Sequence, residues 1–361
     1  MSKFKKILTS PGVFLRDWAL KRHPLLANEI SCPIGAERVV IDRDLALFDG
    51  LAGNMEVDIV YTWVDSTDPA WKNRFDSAIK ITDPDLTSTH ALDPARFECH
   101  RELAYSVKSV LKFLPWARKI YIVTDKQKPD WDLSDEKVVF VDHEEIIDPE
   151  YRPTFNSHVI EANLHRIPGL AEHFIYFNDD VFVARRIPKE HFFINNGLSA
   201  MFLSDKHIPL MQRKGLNTAT LSAAQRSADL LHNRYGYMPT RPLVHTYVPL
   251  RRKAYELAWS SHEHTIRSFL GNRFRSHNDL NLATFLVPWT SFLEGMSFPA
   301  NDICHYFNIR SASAKTAWKI LLDLENTPSA PHSFCANDFH VAHSSTSNNK
   351  LEENLKAYYR H

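Results

Sequence analysis

Residues 173–183 read HFIYFNDDVFV. Asn178, Asp179 and Asp180 interrupt an aromatic and aliphatic run, so an amide and two carboxylates stand between two strand-like segments. An open α/β sheet usually holds its ligand at the carboxyl end of a buried strand, where carboxylates suit a hard divalent cation that carries a diphosphate. These residues therefore predict a site for a ligand such as a nucleotide sugar. The alternative is an Asn-Asp turn between two hairpin strands.

Three further strands precede this stretch, and each ends at an aspartate. The predicted strands are VDIVYTWV (57–64), KIYIVT (119–124) and VVFV (138–141), and the aspartates are Asp65, Asp125 and Asp142. A helical pattern over 96–114, closed by Pro115, separates the first two strands. This order predicts an α/β fold with a mostly parallel, Rossmann-like sheet, helices on its faces and helical additions, and the aspartates then point to one edge. For Asp65 alone, a turn or helix-cap role is the alternative.

The composition narrows the class of protein. The chain has 361 residues, enough for one large or two ordinary domains with a buried core. Lys plus Arg and Asp plus Glu both total 43, so no overall field favours nucleic acid. The four cysteines form no CxxC pair and no disulfide framework, which favours the reducing cytoplasm.

The N-terminal segment, residues 1–50, is predicted to be a basic helix followed by a connector. It mixes lysines and arginines with apolar side chains, a pattern typical of a helix on an anionic membrane surface, although an ordinary surface helix fits as well. The chain has no run of 18 apolar residues that would predict a membrane span. We expect the α/β domain over 51–345, with 184–240 as a flap or insertion, and a terminal helix over 346–361.

Several polar side chains are candidate ligands of a substrate. Arg96 and Arg101 lie near the start of the helix over 96–114, where an arginine could meet a phosphate, surface charge being the alternative. A second helix is predicted over 156–166, and Ser157, Glu161 and His165 share one of its faces at four-residue spacing. Such a face either lines the binding cleft, which would let these residues contact a substrate, or is exposed to solvent.

Three later segments carry isolated polar residues. His245 stands between prolines and apolar residues, where a histidine is most often part of a core or interface. Arg275 stands just before a predicted helix, which suits either a phosphate or solvent. Asn337 and Asp338 repeat the Asn-Asp pattern of the opening stretch.

Four blocks of the sequence together resemble one family. The blocks are DIVYTWVDSTDPAW (58–71), RFECHRELAYSVKSVLKFLPWARKIYIVTD (96–125), FNSHVIEANLHRIPGLAEHFIYFNDDVFV (155–183) and SFCANDF (333–339). With RPLVHTYVPLRR and FRSHNDL between them, they span most of 57–340. The chain resembles the Stealth family of sugar-1-phosphate transferases, which contains bacterial capsular polysaccharide phosphotransferases and the animal lysosomal-enzyme GlcNAc-1-phosphotransferase.

The resemblance implies a GT-A-like catalytic domain that moves a whole hexose-1-phosphate from a UDP-sugar to a hydroxyl group of an oligosaccharide or capsule polysaccharide. UDP-GlcNAc is the expected donor, and UDP-ManNAc or another hexosamine donor is the alternative. The family's aspartates map to Asp179 and Asp180, its histidine to His245 and its arginine to Arg275. Capsule glycosyltransferases are expected partners, the cytoplasm is the expected location, and peripheral contact with the inner membrane is expected from the basic helix.

Residue chemistry then assigns the roles. His245 is expected to be the general base, and Arg275 to stabilise charge on the transferred phosphoryl group. Mg²⁺ or Mn²⁺ is expected on three carboxylates: Asp179, Asp180 and Asp338. The predicted substrate-binding side chains are Asp65, Arg96, Arg101, Asp125, Asn156, Ser157, Glu161 and Asn178.

Two other functions fit the same residues. An ordinary GT-A glycosyltransferase would also use paired aspartates but would cleave at the sugar carbon and release UDP instead of UMP. A sugar-binding or scaffold protein without catalysis would need residues 178–180 only as a turn.

Overall fold

The computed structural model describes residues 11–23, 30, 32–42, 55–82, 97, 101–129, 131, 133–194, 196–216, 218–338 and 350–360. The strands are β1 Val57–Thr62, β2 Ile120–Thr124, β3 Val138–Asp142, β4 His173–Phe177, β5 Val181–Val183, β6 Ser199–Phe202, β7 Val248–Arg251, β8 Ser297–Ala300, β9 Cys304–Asn308 and β10 Ser333–Asn337. The α-helices are α1 Pro11–Arg22, α2 Pro69–Ile81, α3 Glu102–Phe113, α4 His143–Ile146, α5 Ser157–Ala162, α6 Ile208–Arg213, α7 Ala219–Tyr235, α8 Arg252–Leu270, α9 Val287–Leu293, α10 Ala314–Leu324 and α11 Leu351–Tyr358. A π-helix over Leu282–Leu286 runs into α9.

A five-stranded sheet forms the centre of the molecule. Its order is β3-β2-β1-β4-β7, with the first four strands parallel and β7 antiparallel to β4. The chain moves from β1 outward to β2 and β3, and then returns to the other side of β1 to form β4. The carboxyl ends of β1 and β4 thus flank the point at which the strand order reverses, where open α/β sheets bind ligands. The predicted mostly parallel α/β sheet is confirmed.

The apolar alternation of β1 and β4 buries both faces of this sheet. Val60, Phe174 and Tyr176 belong to one core cluster, whereas Ile59 and Ile175 belong to the cluster on the opposite face. Burial on both sides explains why these strands are almost continuously hydrophobic in the sequence.

The strand after the Asn-Asp-Asp turn belongs to a different sheet. β5 pairs antiparallel with β10, and β10 pairs in parallel with β9. A hairpin between β4 and β5 is therefore the wrong alternative, because the two strands do not pair with each other. The turn over 178–180 lies where the chain crosses from the central sheet to this smaller one.

The smaller sheet has its own aromatic core. Phe182 of β5 stacks on Phe334 of β10 with ring centroids 5.0 Å apart, and Trp318 of α10 meets Phe334 edge to face. Tyr358 of the terminal helix α11 also packs on Phe334. The C-terminal helix is thus part of this layer.

Segment 199–235 packs into the main core. It forms β6, α6 and α7, and its buried side chains Met201, Ile208 and Leu231 belong to the same cluster as Val60. β6 pairs in parallel with β8. The division into domains remains a prediction. Among the described residues, no helix is both long enough and apolar enough to span a bilayer.

Candidate active site

Asp180 is the centre of a polar cluster at the carboxyl end of β4. Its Oδ2 accepts hydrogen bonds from the Nδ2 of Asn337 at 2.6 Å and from the Sγ of Cys335 at 3.3 Å. The Nε2 of His245 lies 3.8 Å from the same oxygen. Within the described part of the chain, the buried Oδ1 of Asp180 has no hydrogen-bond partner. The cluster therefore has one carboxylate oxygen that is held and one that is available for a ligand.

Three separate segments deliver these side chains. Asp180 follows β4, Cys335 and Asn337 lie on β10, and His245 precedes β7. The His245 side chain is 41% exposed, and its ring meets Tyr306 of β9 edge to face at 5.5 Å. A histidine that is half open to solvent beside a carboxylate does not fit the alternative of a buried core residue.

The two neighbouring aspartates differ in acidity. Burial, followed by the charges of Glu102 and Asp180, raises the pKa of Asp179 well above its ordinary value. Burial also acts to raise the pKa of Asp180, but the nearby His245, together with the hydrogen bonds from Asn337 and Cys335, holds it below its ordinary value. Environment thus separates two adjacent carboxyl groups, a pattern that is frequent in catalytic sites.

Two groups of side chains in the described residues could hold a metal ion, and one of them is this cluster: Asp180, His245 and Cys335. Burial and the charges of Asp180 and Cys304 raise the pKa of the Cys335 thiol well above its ordinary value, so the thiol stays protonated and acts as a donor. Oxygen ligands, which suit Mg²⁺ or Mn²⁺, are then left to the aspartates.

Asp338, predicted as a third metal ligand, is engaged elsewhere. Both of its carboxylate oxygens accept hydrogen bonds from the guanidinium of Arg310. It does not belong to the cluster around Asp180, in which its neighbours Asn337 and Cys335 take part instead.

The second group that could hold a metal ion is a fully buried network of hydrogen bonds, which the sequence did not indicate. The Oδ1 of Asp302 accepts hydrogen bonds from the Nε2 of His191 at 2.8 Å and from the hydroxyl of Tyr247 at 2.7 Å. The third member, His332, accepts the backbone N–H of Ile303 at its Nδ1. That nitrogen is therefore already used by a hydrogen bond.

Arg275 lies on the other side of β4. Its Nη2 and Nε donate to the hydroxyl of Ser157 at 2.6 and 3.1 Å, and its Nη1 donates to Thr220 at 3.2 Å. No hydrogen bond or ion pair in the described residues joins it to Asp179 or Asp180. Burial lowers its pKa, and the charge of Glu161 opposes that effect.

Electrostatic interactions connect Arg275 to residues near the end of β4. Its charge acts on Glu161 and Tyr176, and the Tyr176 hydroxyl, at the end of β4, donates to the Oε1 of Glu161 at 3.4 Å. The same hydroxyl lies 3.0 Å from the Oγ1 of Thr62, the last residue of β1. Arg275 therefore interacts electrostatically with Tyr176 near the end of β4, and Tyr176 in turn contacts the end of β1.

The carboxylate of Asp279 fixes the loop that carries Arg275, and sequence reasoning did not single it out. It is fully buried and accepts hydrogen bonds from four donors. They are Asn156 Nδ2 at 2.9 Å, His158 Nδ1 at 3.0 Å, Asn272 Nδ2 at 2.8 Å and the Ser276 backbone at 2.9 Å. Asp279 falls within the FRSHNDL segment, but only its distant partners show its role.

Asn156, which is predicted to bind substrate, has a structural position in the fold. It is fully buried and caps α5, where its side-chain oxygen accepts the backbone N–H of His158. Its amide donates to Asp279 and to the backbone oxygens of Asn272 and Phe274. It thus ties the start of α5 to the Arg275 loop.

The structure separates His165 from Ser157 and Glu161, with which it is predicted to share one helix face. α5 ends at Ala162, and Leu164–Arg166 form a separate 3-10 turn, so His165 does not continue the face of Ser157 and Glu161. His165 instead stacks on Tyr255 and lines a cavity of about 350 Å³ with Trp259 and Arg267.

The remaining predicted residues lie in local interactions or outside the cluster. The Oδ1 of Asp65 accepts the backbone N–H and hydroxyl of Thr67, as in a turn, and Asp125 pairs with Arg74 at 2.8 Å. Arg101 precedes α3 with a φ of 65° and pairs with Glu352 at 3.6 Å. Asn178 begins the turn, where its backbone oxygen accepts the N–H of Val181. Arg96 lies outside the described residues.

Comparison with known proteins places the chain among relatives of similar length. Residues 55–81 match the family model "Stealth protein CR1, conserved region 1", and residues 96–201 match "Stealth protein CR2, conserved region 2". The chain is 49% identical over 349 residues to the capsular polysaccharide phosphotransferase LcbA of Aeromonas hydrophila, covering 97% of each. It is 46% identical over 364 residues to the capsular polysaccharide phosphotransferase of Actinobacillus suis, covering 99% of this chain and 98% of that one.

A solved structure resembles this chain distantly. The galactosyltransferase LgtC, in complex with donor and acceptor sugar analogues, aligns with a TM-score of 0.41 at 10% identity, covering 83% of this chain and 95% of that one. A similarity of this size has no bearing on function, whereas the sequence relatives extend over both chains almost completely. The chain belongs to the Stealth family, together with the capsular polysaccharide phosphotransferases.

Proposed function

We propose that the protein transfers a hexose-1-phosphate, GlcNAc-1-phosphate from UDP-GlcNAc, to a hydroxyl group of a capsule oligosaccharide or polysaccharide. The acceptor oxygen bonds to the phosphorus that carries the sugar, the bond from that phosphorus to UMP breaks, and a phosphodiester results. The close relatives named capsular polysaccharide phosphotransferases support the reaction class. The single observation that carries the site is the 3.8 Å approach of His245 to Asp180 at the strand-order reversal.

His245 is the proposed general base. A neutral imidazole can take the proton of the acceptor hydroxyl as the oxygen attacks. The resulting imidazolium would lie beside the carboxylate of Asp180, whose lowered pKa keeps it ionised. Asp180 thereby stabilises the charge that His245 acquires, as the buried aspartate does in other histidine-based sites.

Asp179 and Asp180 are the proposed holders of Mg²⁺ or Mn²⁺. Two features fit such an ion: the buried Oδ1 of Asp180 has no hydrogen-bond partner in the described residues, and the like charges of Glu102 and Asp180 act against ionisation of Asp179. A bound divalent cation would neutralise negative charge on the donor diphosphate.

Arg275 is the proposed cation for the phosphoryl oxygens on the other side of β4. Its hydrogen bonds to Ser157 and Thr220 fix the guanidinium before substrate arrives. Such fixed charge contributes to catalysis because little rearrangement is needed as negative charge develops.

The test uses purified protein with a panel of UDP-sugars, Mg²⁺ and a capsule oligosaccharide. Phosphorus NMR should show a new phosphodiester, and chromatography should show UMP. Accumulation of UDP would support the glycosyltransferase alternative and overturn the proposal.

Variants connect that reaction to the site. His245→Gln should lower kcat by on the order of 10² to 10⁴-fold, the usual range for a lost acid-base group. His264→Gln, on the exposed side of α8, is the matched control. Asp180→Asn should abolish capsule assembly in cells, and normal assembly would support a scaffold role instead.

We also propose that α1 contacts the inner face of the cytoplasmic membrane, where capsule glycosyltransferases would supply the acceptor. Leu15 and Trp18 are 61% and 50% exposed, and Arg22 lies 4.9 Å over the Trp18 ring. An exposed apolar pair beside basic residues suits an anionic lipid surface. Trp18→Ala should reduce sedimentation with phosphatidylserine vesicles. Equal sedimentation of the variant, or equal binding to neutral vesicles, would contradict the contact.

A further inference from the structure

The segment that carries His245 is anchored to one buried carboxylate by the two residues that follow the histidine. The hydroxyl of Tyr247 donates to the Oδ1 of Asp302 at 2.7 Å. The hydroxyl of Thr246 lies 2.8 Å from the Oγ of Ser333, and that oxygen lies 3.5 Å from the Oδ2 of Asp302. Both residues are therefore tied to Asp302, one directly and the other through a serine.

The serine in this network lies on the strand that also holds Asp180. Ser333, Cys335 and Asn337 alternate along β10, so their side chains lie on one face of the strand. The last two donate hydrogen bonds to the carboxylate of Asp180. The contacts through Ser333 thus fix the His245 segment relative to the groups that hold Asp180.

The strand that follows Asp302 contacts His245 at two further points. The thiol of Cys304, on β9, donates to the backbone oxygen of His245 at 3.5 Å. The ring of Tyr306, on the same strand, meets the imidazole edge to face at 5.5 Å. Asp302 itself is held by the Nε2 of His191 at 2.8 Å. A shift of Asp302 would therefore reach both the backbone and the ring of His245.

Burial of this carboxylate points to a role beyond packing. Asp302 and Ser333 are fully buried, and Tyr247 is almost so. Removal of a charge from water is unfavourable even when hydrogen bonds compensate for it, and apolar side chains of similar volume often give equal stability. A carboxylate adds direction, because each of its oxygens accepts hydrogen bonds from defined donors.

We propose that Asp302 is a positioning residue, which holds the imidazole of His245 beside Asp180 in the orientation that proton transfer requires. The inference deepens the proposed function, on which it rests, and assigns Asp302 no contact with substrate. The Nε2 of His245 lies 3.8 Å from the Oδ2 of Asp180. Displacement of a reacting group by about 1 Å can lower a rate roughly 100-fold, so a small loosening of this segment is sufficient.

The experiment compares the wild type with Asp302→Asn, Tyr247→Phe and the control Tyr121→Phe. Tyr121, near the start of β2, is also buried, and its hydroxyl donates to a backbone oxygen. The first two substitutions are also made in His245→Gln protein. Turnover gives kcat and the donor KM, hydrogen exchange with mass spectrometry follows the amides of residues 244–247, and circular dichroism confirms that each variant is folded.

We expect Asp302→Asn to lower kcat about 10- to 100-fold and Tyr247→Phe to lower it about tenfold. The donor KM should change little, because the misplaced imidazole acts on the acceptor proton. The amides of residues 244–247 should exchange roughly tenfold faster in both variants, as expected for loss of one hydrogen bond to a charged group, and those of β2 should be unchanged.

The His245→Gln background distinguishes positioning from general support of the fold. With the imidazole absent, Asp302→Asn and Tyr247→Phe should lower kcat by less than about twofold, because two residues that act through one group are not additive. Tyr121→Phe should match the wild type in kcat and in exchange.

The outcomes separate the inference from the proposed function. An equal loss of kcat with and without the His245 imidazole would overturn the positioning role, and so would wild-type kcat and exchange in both variants. Release of UDP, or no turnover by the wild type, would overturn the proposed function. Faster exchange confined to residues 244–247 would even then support the anchoring of this segment by Asp302.

Discussion

Replacement of Asp279 tests the claim that its carboxylate builds the Arg275 loop. Asp279→Asn preserves the shape of the side chain but removes the charge that three donors share at Oδ2. A hydrogen bond to a charged group contributes roughly 1 kcal/mol more than a neutral one, so the loss should be about 3 kcal/mol. Asn272 can turn its own amide to meet the new NH₂ group, which limits the cost at Oδ1.

Asp279→Ala should be more severe than Asp279→Asn. The His158 imidazole and the Ser276 backbone N–H would lose their acceptor in a buried space, where an uncompensated polar group costs roughly 1 to 3 kcal/mol, and Asn156 and Asn272 would each lose one hydrogen bond. The total would approach the stability of an ordinary domain, about 5 to 15 kcal/mol. We expect little folded protein at 37 °C, in contrast to a folded but weakened Asn variant.

Urea unfolding followed by circular dichroism measures both changes, with the exposed Asp323→Asn as the control for loss of a negative charge. A loss below about 1 kcal/mol for Asp279→Asn, with an unchanged slope, would refute the proposed network energetics. Turnover at a temperature where the Asn variant is folded should also fall, because the loop that positions Arg275 is loosened.

Three further predictions concern other buried groups. Iodoacetamide at pH 7.5 should leave Cys304 and Cys335 unmodified in the native protein. Burial raises the pKa of both thiols, to about 12 for Cys304, so neither forms the reactive thiolate. Modification of either cysteine, detected by peptide mass spectrometry, would contradict this prediction. Burial lowers the pKa of His143 to about 4 from 6.5, so the unfolded chain takes up the proton first, and His143 alone should reduce the free energy of unfolding by about 3 kcal/mol as pH drops from 6.5 to 4. Urea unfolding at both pH values should show a fall that is smaller by this amount in His143→Gln. Asp58→Ala should cost roughly 1 to 3 kcal/mol of unfolding free energy, because the Ala171 backbone N–H and the part-buried Arg118 guanidinium lose the buried carboxylate that they bind, and an intact thermal midpoint would exclude that role.

The sequence predicts the central sheet well because its strands are buried on both faces. Continuous runs of β-branched and aromatic residues mark β1, β2 and β4, and the turn at Asp179 and Asp180 follows directly from the break in the last run. Local patterns are sufficient when each strand can be predicted from its own residues. The order of these strands with intervening helices then favours parallel pairing.

Local sequence patterns do not predict the smaller sheet or the polar network around Asp279. β5 has three residues, too few for a period, and its partner β10 lies about 150 residues further along the chain. The end of α5 also depends on a local competition, in which the Asn163 side chain donates to the Val159 oxygen and takes up a carbonyl of the last turn. Asp279 has donors over 100 residues away, so only the folded arrangement identifies it.

The partners of Asp180 on β10 have a consequence for synthesis of the protein. Cys335 and Asn337 lie 155 and 157 residues after Asp180. While the chain emerges from the ribosome, the central sheet can form long before either side chain exists. The carboxylate would then remain without these two donors until the final strand is released. We therefore expect nascent chains stalled before residue 333 to be folded in part but inert, with activity arising only at the completion of translation.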